Sequence, residues 1–479
     1  MYLNRTGRIQ IIGIFILLLL VSLAVTYLMV NKGVLAGPLT VLVAGGIFLF
    51  GAILKDYRIG FYALFAMGMF MFYIDRAFHI PIPLGIVYDA LAALVFIALF
   101  LHNKDKRDWT LFKNPVTIMF VILTVYQLLQ FFNPNAVSHV GWVVALRNNV
   151  SFLLYVVCFQ LFATLKDVSR FTITWIVMAS IIAFYGLYQE YVGLTDFEWA
   201  WMNASPDRMG LYMIWGKLRK FSMLSDPSSF GLFMAFSGLG CIVMAMGPFK
   251  SSYRILLGGL AFVMLLSMSY SGTRTAMAMV AIGLVFFIIM TLRNKKTIIA
   301  AFALAFFGAI ILAGPFYGGT INRIRSTFSP SDDASMAVRD NKRIRLQEYV
   351  RSHPIGGGVS TTGQNGVKYS PGHYLAGGWD PDSGYLLTAL EMGWIGLIIF
   401  QVFFFIVVLK GINNYFSIND PLLKTYTLTY IVPFLALSVA HFTQDALFQK
   451  PVNVIVIVAY ALVVKLPSFE KKLFSVDLV

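Results

Sequence analysis

Charge is what this sequence has little of. Only 12% of its 479 residues are Asp, Glu, Lys or Arg, against about 25% in an ordinary soluble domain. That is too little polar side chain to cover a globule of this size, which excludes a soluble enzyme. Disorder is excluded too, because it needs the opposite composition. Cysteine is nearly missing. Cys158 and Cys241 both lie in apolar runs, too few for a disulfide framework or a metal cluster. Walker loops, G-x-G-x-x-G, H-E-x-x-H and C-x-x-C motifs are absent, so phosphate-loop and zinc chemistry have no signature here. No internal repeat, heptad or low-complexity tract is visible.

What the chain has in quantity is apolar sequence, 58% hydrophobic and 15% aromatic. A helix crossing about 30 Å of hydrocarbon needs about 20 apolar residues. The runs predict an all-α polytopic integral membrane protein with about 14 spans (12–14): 9–30, 34–54, 59–74, 83–102, 115–133, 147–165, 171–192, 228–247, 254–271, 274–292, 297–315, 385–409, 423–441 and 451–466. The first is too long for a signal-peptide core and no small-residue cleavage site follows it, so it reads as a retained span. Pro, Gly or charge marks most cuts, as at Asn114-Pro115, Asn133-Pro134 and Asp420-Pro421.

The formal net charge is +15, from 37 Lys and Arg against 22 Asp and Glu. Its position along the chain sets orientation. With Arg5 and Arg8 inside, every second loop is basic and cytoplasmic, including Lys55/Arg58, Lys166/Arg170, Lys250/Arg254 and Lys410/Lys424. Both termini are then cytoplasmic. The short outer loops keep Lys32, Arg76, Arg147, Arg274 and Lys450. The remaining basic residues sit in two long outer loops, 193–227 and 316–384, and nucleic acid is not an expected partner.

Long loops of this kind are functional or disordered. In the larger one, 336–349 reads as an amphipathic helix at the membrane surface, stopped by His353-Pro354 and Gly356-Gly357-Gly358. Its basic members, with Arg339 and Arg343 among them, lie on the side where the positive-inside rule does not ask for them. They serve either lipid headgroups or an anionic ligand, for which phosphate or diphosphate is the coherent chemistry, because arginine presents a fixed fork of donors to phosphate oxygens. Arg219, ahead of Ser225-Asp226-Pro227-Ser228, and Arg274, in Ser269-Tyr270-Ser271-Gly272-Thr273-Arg274, are further candidates. The bland reading of Arg274 is an interfacial anchor, and of Arg219 a headgroup contact. A proton-accepting base belongs at the outer mouth of the spans. Asp382 fits that place, or else caps a helix. His373 is the other group of suitable pKa, or else a solvated loop histidine. Glu391 lies within an apolar run and is expected to fix helix packing through a buried polar contact.

These motifs resemble the O-antigen ligase and O-antigen polymerase superfamily, bacterial membrane glycosyltransferases. Arg219 through Asp226-Pro227 is similar to the family's Arg…Asp/Asn-Pro-Asn segment. Ser269 to Thr275 resembles its Ser-x-Ser-Arg-Gly segment, lengthened by two residues. Arg339 followed by Pro354, Gly356 and Gly358 resembles its Arg…Pro-x-x-Gly-x-Gly segment. Asp382-Ser383-Gly384-Tyr385-Leu386…Glu391-Met392-Gly393 resembles its His-Asn-x-Tyr-Leu…Glu-x-Gly signature, with Asp382 where ligases have His.

The resemblance implies a GT-C-like fold with one large periplasmic loop, and a multi-pass protein of the inner membrane with its site on the periplasmic side. It implies transfer of a glycan from a polyprenyl-diphosphate donor to an acceptor glycan or lipid-linked glycan, with no metal, nucleotide sugar or other cofactor. Membrane lipids and a chain-length regulator are further expected partners. The expected roles are diphosphate binding for Arg219, Arg274, Arg339 and Arg343, proton transfer for Asp382 with His373 in reserve, and support from Asp226, Tyr385 and Glu391. A single inverting displacement is expected. The departure at Asp382 favours a polymerase over a ligase attaching glycan to lipid A core. A lipid-linked oligosaccharide flippase is the rival from another class. The expected organisation is an N-terminal bundle, 1–192; a catalytic region, 193–409, containing the loop 316–384; and C-terminal helices with a tail, 410–479.

Overall fold

The computed structural model describes residues 36–80, 83–101, 107–214, 216–295, 297–299, 346–377 and 381–476, with a few isolated residues besides. Nearly all of the expected spans 9–30 and 297–315 lies outside the described residues. So does the expected surface helix before Leu346, with Arg339 and Arg343.

The long helices are α1 (Ala36–Lys55), α2 (Tyr57–Phe78), α3 (Leu84–Leu101), α4 (Pro115–Leu129), α5 (Val150–Leu161), α6 (Leu165–Tyr191), α7 (Pro227–Ala245), α8 (Ser251–Tyr270), α9 (Arg274–Met290), α10 (Gly384–Ser417), α11 (Pro421–Ala440) and α12 (Val452–Val476). Among the described residues ten helices are long and apolar enough to cross a membrane. The stretch Gly45–Lys55 of α1 and the whole of α9 are shorter apolar helices. The chain is thus a polytopic helical protein.

Proline and a capping side chain together start several helices. Asn114 caps α4 and Asp226 caps α7, each followed by proline at the first helical position. Asp420 and Pro421 start α11 in the same way. The cap accepts an amide that has no partner inside the helix, and the proline lacks one.

Two elements differ from the sequence expectation. The span expected at 147–165 is broken into a short helix, His139–Ala145, a 3-10 turn, Leu146–Asn149, and α5. The polar run Arg147-Asn148-Asn149 does not continue an apolar helix, and the Arg147 guanidinium pairs with the Asp89 carboxylate of α3. The span expected at 385–409 is instead a 34-residue helix interrupted at Gly393, which sits at φ 70° and ψ 179°.

The central helices are α7 and α11, with 83% and 72% of their apolar windows buried, whereas only 28% is buried in α3 and α8. Large side chains such as Phe48, Ile255, Phe262 and Phe405 point outward and are exposed. An apolar exterior of this extent is suited to lipid. One continuous core runs from Ile53 to Phe469 and contains both cysteines.

Each end of the bundle is tied by its own polar contacts. At one end Lys465 Nζ meets Asp108 Oδ2 at 2.5 Å, Arg58 meets Asp167 at 3.7 Å, and Glu470 accepts the amides of Asn419 and Asp420. The other end gathers residues 194–226, 271–275, 353–377 and 441–451. A two-residue hairpin, β1 (Met213–Ile214) with β2 (Lys217–Leu218), delivers Arg219 there.

Candidate functional site

Three segments far apart in sequence meet around Arg219. Its backbone amide donates to Tyr212 O at 2.8 Å. Its guanidinium donates from Nε to Ser271 O at 2.9 Å and from Nη2 to Thr273 Oγ1 at 3.1 Å. The side chain is 8% exposed, so its fork is held in one orientation. The segment after it is fixed as firmly. Arg76 donates to Ser222 O and Leu224 O, at 2.8 and 2.6 Å. Gln189 Oε1 accepts the Ser222 amide at 2.8 Å. Nothing in the sequence marks Arg76 or Gln189 for this work, since the bonds from Arg76 reach 148 and 146 residues along the chain.

Asp226 is spent on structure. Oδ1 accepts the amides of Ser228 and Ser229 at 2.8 and 3.0 Å, and Oδ2 accepts the hydroxyls of Ser225 and Ser229 at 2.7 and 2.6 Å. Arg274 is the first residue of α9, and Thr273 before it turns its hydroxyl to Pro227 O and Arg219 instead of capping the helix. A cation there runs against the helix macrodipole, at a cost of about 0.3–1 kcal/mol. The N-termini of α7 and α9 and the Arg219 fork therefore converge, and helix N-termini favour anions.

The loop motif and the helix motif interlock at Gly393. The interruption frees main-chain carbonyls of α10, and each finds a new donor. Leu390 O accepts the Gly357 amide at 2.8 Å and Glu391 O the Gly358 amide at 2.9 Å. Met392 O accepts the Tyr126 hydroxyl at 2.8 Å, and the Ile395 amide turns to Pro354 O at 3.3 Å. The Glu391 carboxylate accepts the Thr362 hydroxyl at 2.6 Å. Glu391 thus pins the loop onto the helix. Tyr385 donates to Ser438 O at 2.7 Å.

His373 is 8% exposed and caps the short turn Tyr374–Ala376, its Nδ1 accepting the Leu375 amide at 3.1 Å. Burial pushes its pKa below 6.5; the Asn135 backbone opposes that shift and His353 adds to it. Its ring thus serves as the cap of this turn. Asp382 is exposed and precedes the cap residue Ser383 of α10.

A cavity of about 250 Å³ opens between α4, α10, α12 and the outer loops. Phe120, Phe403 and Tyr460 line its apolar side, and Glu391, Asp445 and Asn453 are among its polar groups. Asp445 lies in the 441–451 connection, which the sequence reading passed over. Its Oδ1 has no hydrogen-bond partner, and neither has Asn453 Oδ1. Burial, with Glu391 adding to it, raises the Asp445 carboxyl to about 7. His441 Nδ1 approaches Asp445 at 3.6 Å, but this is no ion pair: that nitrogen accepts the amides of Ala446 and Leu447, and burial holds His441 down at about 3. The same connection touches the arginine cluster. Thr443 bonds Thr275, next to Arg274, at 2.9 Å, and Gln449 bonds Ser229 at 3.0 Å.

Among curated proteins none matches the chain closely enough to compare. Residues 259–401 match the family model described as O-antigen ligase. The match takes in Arg274, His373, Asp382, Glu391 and the Gly393 interruption, and stops short of Arg219 and Asp445 on either side. The likeness to the O-antigen ligase and polymerase superfamily thus rests on this region, residues 259–401, and is not shown for the rest of the chain.

Proposed function

We propose that the chain is a membrane glycosyltransferase that moves a glycan from polyprenyl diphosphate to a sugar hydroxyl at the outer face of the bacterial inner membrane. Polymerisation of O-antigen or exopolysaccharide repeat units is favoured over ligation to lipid A core, because Asp382 stands where ligases carry His. The observation that carries the reading is the buried Arg219 fork, oriented by Ser271 and Thr273 beside Arg274 and two helix N-termini. The family acts on a lipid-linked oligosaccharide and an acceptor.

As the bond from the anomeric carbon to the diphosphate oxygen breaks, its electron pair passes to the diphosphate. Preorganised donors stabilise that charge by roughly 3 kcal/mol each in a water-poor site. Arg219 and Arg274 take this role, with Arg339 and Arg343 joining from the large loop. The acceptor oxygen attacks the anomeric carbon from the opposite face, which inverts it, and loses its proton to a carboxylate. We assign that proton to Asp445, which lines a cavity beside the cluster and titrates near neutrality, as a base should. Asp382 is the alternative at the exposed mouth. Asp226, Tyr385 and Glu391 shape the site, and residues 193–409 form its catalytic region together with the 441–451 connection.

The test replaces the native gene in cells by Arg219→Ala, Asp445→Asn or Asp382→Asn and measures glycan length and lipid-linked intermediate. Arg219→Ala abolishes polymer and leaves single units on the lipid carrier. Asp445→Asn does the same while Asp382→Asn does not. Normal polymer in the Arg219→Ala strain removes the transferase reading.

A further inference from the structure

A second cavity, of about 270 Å³, adjoins the first and shares Ser360, Asn365, Phe448 and Asn453 with it. Its far wall is charged. Arg147 and Asp89 form an ion pair there, and Lys450 joins them. Among the described residues no carboxylate closes an ion pair with Lys450; its ammonium lies 3.6 Å over the centroid of the Tyr88 ring instead. With Asp89 matched to Arg147, this wall holds one cation in excess. Tyr88 lines this wall and is 1% exposed, and its buried hydroxyl has no hydrogen-bond partner among the described residues. An unmade hydrogen bond at a buried hydroxyl costs about 1–3 kcal/mol, so an orphaned donor beside a surplus cation points to an absent acceptor.

We infer that this cavity binds an acidic sugar of the glycan, with Lys450, Tyr88 and Arg147 reading its anionic substituent, a carboxylate or a phosphate. The inference rests on the transferase reading for its biological meaning and deepens it by naming the class of sugar. The anion takes one bond from the Lys450 ammonium and one from the Tyr88 hydroxyl. Ser151, Ser360 and Asn365 face the ring hydroxyls, and Tyr369 and Phe448 offer apolar faces to the ring. Together the two cavities fall within the range of small-molecule sites, about 300–1,000 Å³, so one can hold the reacting sugar and the other its neighbour. Neutral sugars leave Lys450 and Tyr88 unmatched, and such a site discriminates strongly against them.

A pH dependence follows from this placement. Burial lowers the Lys450 pKa to about 8, with Arg147 lowering it further and Asp89 opposing. Asp445 and Glu391 face the adjoining cavity. Lys450 is cationic below about 8 and neutral above, so affinity for an anion falls as pH rises from 7 to 9.

The experiment measures thermal shifts of the purified full-length protein with four probes at matched ionic strength: glucuronic acid, glucose 6-phosphate, glucose, and vesicles of phosphatidylglycerol. The expected result is stabilisation by the charged sugars and none by glucose. Lys450→Gln weakens the charged-sugar response about tenfold, the worth of one charge-assisted hydrogen bond, and removes its fall between pH 8 and 9, where Asp445 is already ionised. Tyr88→Phe also weakens it without lowering the melting temperature of the free protein, because the lost hydroxyl has no partner. The stronger of the two charged sugars identifies carboxylate or phosphate. Equal responses to glucose and glucuronic acid overturn the inference. So does a response to phosphatidylglycerol alone, or an unchanged response in both variants. Arg219→Ala separates the two claims. It abolishes transfer and leaves the glucuronic acid shift in place. Loss of that shift in the wild type with transfer intact sinks this inference alone, and survival of transfer in Arg219→Ala sinks the transferase reading alone.

Discussion

Arg219 and Lys220 are neighbours with different surroundings. Lys220 meets Glu190 at 3.3 Å, whereas the Arg219 fork is set by a carbonyl and a hydroxyl from the Ser271–Thr273 turn. Arg219→Lys keeps the charge and loses the planar fork. Transfer is expected to fall about 100-fold or more, the scale of one lost transition-state donor, with the melting temperature little changed. A purified-enzyme assay with lipid-linked oligosaccharide measures both, and full activity in the lysine variant removes the fork from the argument. His373 gives a prediction of opposite kind. Its pKa is depressed in the fold, so the unfolded chain binds more protons at mild acidity. The loop it caps is at full stability above pH about 6.5 and loses stability as pH falls below that value. Amide protection across residues 363–377, taken relative to the intrinsic exchange rate at each pH, should fall between pH 7 and 5, and His373→Gln should flatten that dependence. At this scale the sequence was readable where chemistry repeats a local motif, as around Arg219 and Arg274. It was silent where partners are distant: Arg147 finds Asp89 across 58 residues, and no local pattern announces that meeting.

The Gly393 interruption of α10 is the element on which the loop motif depends. A Cβ at Gly393 would lie 1.9 Å from Pro354 O, and one at Gly356 would lie 2.4 Å from the Gly393 amide. Both residues have positive φ, 70° and 75°, so strain adds to the clash. Gly393→Ala is therefore expected to cost about 3 kcal/mol or more, combining a strained backbone with displaced main chain. Tyr126→Phe removes only the donor to Met392 O and is expected to cost about 1–2 kcal/mol. Melting curves in detergent should rank the two in that order. A Gly393→Ala protein as stable as the parent means that the loop does not need the interruption. Glu391 was expected to fix packing through a buried polar contact, and its bond to Thr362 is such a contact, whereas the glycines stood out only as a motif, without their physical purpose. A hydropathy pattern reports where a helix crosses the membrane, and it carries no record of which carbonyls have been released. The break at Arg147-Asn148-Asn149 was partly visible for the opposite reason, because polar residues interrupt the apolar run that defines a span.

At the scale of the whole molecule, twelve of the expected spans fall on described helices, ten long and apolar enough to cross a membrane, and a cap with proline explains where three of them start. Both ends of the bundle are closed by ion pairs and hydrogen bonds together. Lys465 with Asp108 and Glu470 with two amides tie one end, and Lys220 with Glu190 and the hydrogen bonds of Arg219 tie the other. The positive-inside rule assigns the first end to the cytoplasm, and the proposed chemistry requires the second to face outward. The protein supplies a clean background for testing this. Its two cysteines, Cys158 and Cys241, are free and fully buried, so the parent should not react with a small membrane-impermeant maleimide. Asn203 and Asn419 are exposed at opposite ends. Asn203→Cys should be labelled in intact cells, and Asn419→Cys only after the inner membrane is permeabilised. The reverse pattern would put the arginine cluster on the cytoplasmic side, where lipid-linked units are built rather than joined, and the proposed reaction would lose its substrate. Labelling of both in intact cells would show that the basic loops do not set the orientation of this chain.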